Sequence, residues 1–114
     1  MAWAWVYDPH SGGVKIPSQN YLEICEQVES FARTRPWYTR IQLKVRITGH
    51  FCYIDTVEEG KCPIQLCRLR HLNRGWSLAL FTYSNERYEP CAFADGKLEG
   101  TLEAALKVCD PFVI

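Results

Sequence analysis

The chain reads as an α+β domain, an antiparallel meander of four or five strands with two helices packed on one face. Three observations predict it. Hydrophobic spacing of three and four residues follows Pro17, a strict period of two begins at Arg40, and a second helical stripe follows Thr101. At 114 residues, nearly half of them apolar, the chain has material for one hydrophobic core, so residues 1–114 are expected to form a single domain.

The elements follow in order. "AWAWVY" alternates small and aromatic residues and suits a short strand that ends at Asp8-Pro9 and the Gly12-Gly13 turn. Tyr21, Ile24, Val28 and Phe31 then mark an amphipathic helix. Pro17 suits its first position and Ser18 its amino cap, and Pro36 requires it to end earlier. Ile41, Leu43, Val45 and Ile47 point one way and Arg40, Gln42, Lys44 and Arg46 the other, as in a half-buried strand. Turns at Thr48-Gly49-His50, Glu58-Glu59-Gly60-Lys61 and Asn73-Arg74-Gly75 separate strands at 51–57, 64–72 and 76–83. A short fifth strand is expected at 91–94, between Pro90 and Asp95-Gly96. Thr101 caps the last helix, Leu102, Ala105, Leu106 and Cys109 form its apolar stripe, and Pro111 stops it.

"YDPHSGGVKIP", "CYID", "LCRLR", "YSNERYEPC" and "GTLEAAL" occur in this order over nearly the whole length, and together they resemble a family of small uncharacterised bacterial proteins. The resemblance implies a free-standing intracellular domain and no particular chemistry. From the residues themselves, the start has neither the basic segment nor the apolar run of a secretory signal, so a cytoplasmic location with no membrane association is expected. In that setting most of Cys25, Cys52, Cys62, Cys67, Cys91 and Cys109 read as small buried apolar side chains.

Catalytic and metal motifs are weak. "SGGVKIPS" lacks the four-residue spacing of a phosphate loop, which leaves His10, Ser11, Gly12, Gly13 and Lys15 as an alternative anion-binding or active loop. No GxSxG elbow supports a nucleophile, and Cys52 and Cys67 fall inside strands. For zinc the closest set is Cys62 and Cys67 with Cys52 and His71, without the two tight ligand pairs of a structural site. No cofactor is expected.

Charge is neutral overall but polarised: positions 33–74 carry nine Lys or Arg against three acids, leaving four bases against ten acids elsewhere. Lys44 and Arg46 on one strand and Arg68 and Arg70 on another have the spacing to share a face, with Tyr53 and Phe51 between them and Phe81 and Tyr83 beside them. That combination suits a protein partner or self-association, and Trp3, Trp5, Trp37 and Trp76 add more aromatic surface than one small core hides. The reading is a non-catalytic interaction module. Single-stranded nucleic acid bound through the basic, aromatic face is one alternative, and a small enzyme using the His10 loop is another.

Overall fold

The computed structural model describes residues 13–113. A five-stranded antiparallel sheet in sequential order carries both helices on one face: α1 (Tyr21–Arg33), β1 (Ile41–Thr48), β2 (Phe51–Glu58), β3 (Ile64–His71), β4 (Trp76–Thr82), β5 (Arg87–Cys91) and α2 (Leu102–Cys109). The expected first strand lies outside the described residues. Among those described, no helix is long and apolar enough to cross a membrane.

Period-two alternation sets the register. Val45 pairs with Ile54, Ile54 with Cys67 and Cys67 with Leu80, so the row that begins on β1 stays on one face across four strands. Ile24, Val28 and Ala32 of α1 and Leu102, Ala105, Leu106 and Cys109 of α2 close over that face. Between Ile54 and Asp55 the β2–β3 register shifts, leaving Leu66 as an extra residue on β3, and its side chain is buried in the core. Trp37 and Trp76 also belong to this core. They are packing residues, which corrects their assignment to a partner surface.

Helix ends follow local chemistry with one departure. Thr101 Oγ1 accepts from the Ala104 amide at 3.1 Å, as a cap should. Ser18, expected to cap α1, instead opens a short 3-10 turn (Ser18–Asn20) preceded by extended Pro17, and no side chain caps either start. Pro17 is extended, at φ −62° and ψ 139°, and the backbone enters the helix through the tighter turn. Carboxyl-terminally, Thr34 Oγ1 donates to the Phe31 carbonyl at 2.7 Å, ahead of Pro36.

The fifth strand requires a larger correction. It occupies Arg87–Cys91 and not 91–94, with Pro90 inside it, opposite Ala79. Among the described residues it is the last strand of the sheet, at an edge where a residue without N–H is tolerated. Residues 93–97 form the turn beyond it, held by Phe93 N–H to Lys97 O and Gly96 N–H to Phe93 O, both 2.8 Å.

Candidate binding face

The other face, which among the described residues carries no helix and is called helix-free below in that sense, is assembled from alternate residues of all five strands. One cross-strand row runs Arg46, Tyr53, Arg68, Ala79, Pro90, and the adjacent row runs Thr48, Phe51, Arg70, Ser77. Lys44 stands opposite Asp55, and Phe81 opposite Tyr88. The register thus places Lys44, Arg46, Tyr53, Arg68 and Arg70 on one face, together with Phe51 and Phe81.

Contacts between them are specific. The Arg46 guanidinium lies 4.8 Å from the Tyr53 ring centre, and that of Arg68 lies 4.7 Å from Phe51 and 5.2 Å from Tyr88. Tyr88 meets Tyr53 and Phe81 edge-on at 5.6 and 5.0 Å, and Phe81 meets Tyr83 at 4.7 Å. Arg46 Nε also donates to Asp55 Oδ2 at 3.1 Å, and that bond raises the guanidinium pKa above its ordinary value. Burial pushes the Tyr88 phenol upward, against the hydrogen bond from Gln65 Nε2 to its oxygen at 3.3 Å. The face is therefore a lattice of cations and rings around one embedded carboxylate.

Along β4 the same face is buried: Ser77 and Ala79 are each 5% exposed, flanked in the sheet by Arg70 and Arg68 on β3 and by Pro90 and Tyr88 on β5. Arg70 is itself only 7% exposed. At the far end, Phe81 and Tyr83 lead into an apolar groove of about 640 Å³ that wraps the sheet end past Ile64, Leu80 and Phe112.

Two residues of this face escaped the sequence reading. Asp55 lies two positions beyond Tyr53 on β2, so strand periodicity alone assigns it to the same side. Tyr88 was hidden, because Pro90 marked a strand start and not a strand interior.

Of the alternative loop, Gly13 and Lys15 are described, while His10, Ser11 and Gly12 lie outside the described residues. Lys15 is exposed. The neighbouring amides are engaged by protein: Val14 N–H donates to His71 O at 2.8 Å and Ile16 N–H to Gly49 O at 2.9 Å. His71 Nδ1 is also within hydrogen-bond distance of Val14 O, at 3.0 Å. Those two donors are turned to the sheet end and away from any anion.

The possible zinc ligands do not meet. Cys52 and Cys67 are buried, Cys62 is exposed on the β2–β3 connection, and His71 ends β3; among the described residues no group of three potential ligands has metal-binding geometry. Burial pushes the Cys52 thiol up to about 12, and contact with Cys109 together with burial raises that of Cys67. Such thiols are poor nucleophiles. Three cysteines are buried (Cys52, Cys67, Cys109), Cys91 is half-buried, and Cys25 and Cys62 are exposed, so the expectation that most are buried holds for only half of them.

Comparisons with protein-family models, with curated proteins and with solved structures return no match.

Proposed function

We propose that this domain is a non-catalytic interaction module that takes an extended segment of a protein partner across its helix-free sheet face. The observation that supports this reading best is the set of arginine–ring contacts joining Arg46, Arg68, Phe51, Tyr53 and Tyr88. Arginine and tyrosine anchors of this kind, held in place by their neighbours, lose little side-chain freedom when a partner docks. The face, with its cross-strand rows of side chains, suits an extended chain. Its cationic border favours a segment that combines aromatic with acidic residues.

Single-stranded nucleic acid fits the same face less well. Base stacking needs open ring faces, whereas guanidinium groups already lie over Tyr53, Phe51 and Tyr88. The Asp55 carboxylate, set beside Arg46, also repels a phosphate chain.

Selection from a random peptide display library tests the proposal. Enriched sequences should place acids beside aromatics, and Arg68→Glu should weaken their binding by about 2 kcal/mol, the loss typical of an interface anchor. A domain that selects no peptide, yet binds a single-stranded oligonucleotide with steep salt dependence, would transfer the face to nucleic acid.

A further inference from the structure

We propose that the groove at the sheet end, among Ile64, Leu80 and Phe112, is a binding site for a small amphipathic carboxylate, one ionised acid group on an alkyl or aryl body. The site is separate from the arginine–ring lattice and does not depend on how the helix-free face is used.

The groove opens where the core meets solvent. β1 and β3 begin and β2 and β4 end at this edge of the sheet, and the turn after α2 (Asp110–Phe112) contributes Phe112. Core residues form the floor: Ile41, Leu66 and Val113 are only 3 to 7% exposed. Leu66 belongs there because of the bulge. Strict alternation would send Leu66 and Cys67 to opposite faces of β3, and the register shift lets both be buried.

The rim is apolar and open. Ile64, Tyr83 and Phe112 are each at least half exposed, and they are three of the six large hydrophobic side chains that lie exposed among the described residues. Gathered around one concavity, they make the kind of apolar patch that marks an interaction site. The hydroxyls of the wall are already engaged: Thr56 Oγ1 donates to the Ile64 carbonyl at 3.4 Å, Thr82 Oγ1 to Arg87 at 3.3 Å and Tyr83 to Gln65 at 3.1 Å. The volume of about 640 Å³ falls within the range of about 300–1,000 Å³ typical of small-ligand sites.

Charge sets the head group. The charged residues lining the groove are Arg40, Lys61 and Glu58, two cations to one acid, a net charge of 2 − 1 = +1. Arg40 Nε lies 3.6 Å from one Glu58 carboxylate oxygen and Lys61 Nζ 3.4 Å from the other, both longer than the roughly 2.7–2.9 Å of a close charged hydrogen bond. An arginine and a lysine together carry more N–H donors than one carboxylate has lone pairs, so the same pair can take up a second carboxylate. A monoanion neutralises this trio. A phosphate dianion would overshoot and repel Glu58, and an ammonium head would meet a net positive charge.

Titration of the full chain with decanoate at neutral pH, followed by methyl NMR, tests the site. The methyls of Ile64, Leu66 and Leu80 should shift saturably while those of Leu22, exposed on α1, stay. Decanol should bind at least about tenfold more weakly, and Arg40→Glu/Lys61→Glu should cost decanoate a similar factor while admitting decyltrimethylammonium. Arg68→Glu, on the other face, should leave decanoate affinity unchanged. Shifts that do not saturate, equal affinity for decanoate and decanol, indifference to the charge reversal, or loss of binding in Arg68→Glu would each overturn the proposal. So would tighter binding of a short peptide ending in a free leucine carboxylate, which would assign the groove to a protein chain terminus. If the doubly reversed chain does not fold, Lys61→Gln serves: decanoate should weaken by at least about threefold and decanol not at all, and unchanged decanoate affinity counts against the site.

Discussion

Replacing Gly13 with alanine should cost about 1–3 kcal/mol, the range for forcing a side chain into a sparsely populated backbone region. Its φ is 100°, and the new methyl would press on His50, Arg70 and the His71 carbonyl. Urea unfolding gives the measurement, with Lys15→Ala as the exposed control expected within about 0.5 kcal/mol of the parent. Equal midpoints for the two variants would refute a structural role for the joint. Thiol chemistry sorts the cysteines at the same scale. Cys25 and Cys62 should be alkylated in the native protein, and Cys52, Cys67 and Cys109 only in denaturant, as read by peptide mass spectrometry. Because folding raises the Cys52 pKa from 9.0 to about 12, the stability gained by keeping that thiol neutral is whole below pH 9 and drains away as pH rises toward 12. Single residues were legible where periodicity governs them. Lys44, Arg46, Arg68 and Arg70 needed only the alternation of a strand, whereas Gly13's contacts depend on three segments that no local pattern connects.

Among the elements, five of the expected strands and helices appear within a residue or two of their sequence signals, since hydrophobic period and turn glycines are local information. The 49–50 hairpin shows why: Thr48 pairs with Phe51, and Gly49 at φ 62° supplies the left-handed geometry of a two-residue loop. β5 failed because a proline is excluded from a central strand and accepted at an edge, and edge position is a property of the assembled sheet. The bulge at Leu66 was equally silent, as its sequence continues the apolar run of β3 without a break. Joining the helical layer to itself, Arg35 donates to both Asp110 oxygens at 3.1 and 2.7 Å while Trp37 Nε1 donates to Oδ1 at 2.8 Å. Asp110→Ala removes all three acceptor contacts and should lower stability by about 1–3 kcal/mol. Thermal unfolding checks this, and an unchanged midpoint would mean the clasp is incidental.

For the molecule as a whole, fold class was readable because every level agrees: apolar rows of period two meet helices whose apolar stripes join the same core. The candidate face was partly readable, since its cations follow strand alternation and the burial of its β4 residues does not. Ser77 and Ala79 are small residues whose burial becomes apparent only once β4 is set between β3 and β5. The sequential strand order, described above as topology, also bears on kinetics. Each strand pairs with its immediate predecessor, so the sheet can grow hairpin by hairpin with small loop-closure entropy, whereas the Arg35–Asp110 clasp spans 75 positions and closes late. On the ribosome, α2 emerges after all five strands, and until it arrives the half of the apolar face nearest β4 has no cover. The nascent chain is thus most exposed to aggregation in the interval between completion of β5 and release of Cys109.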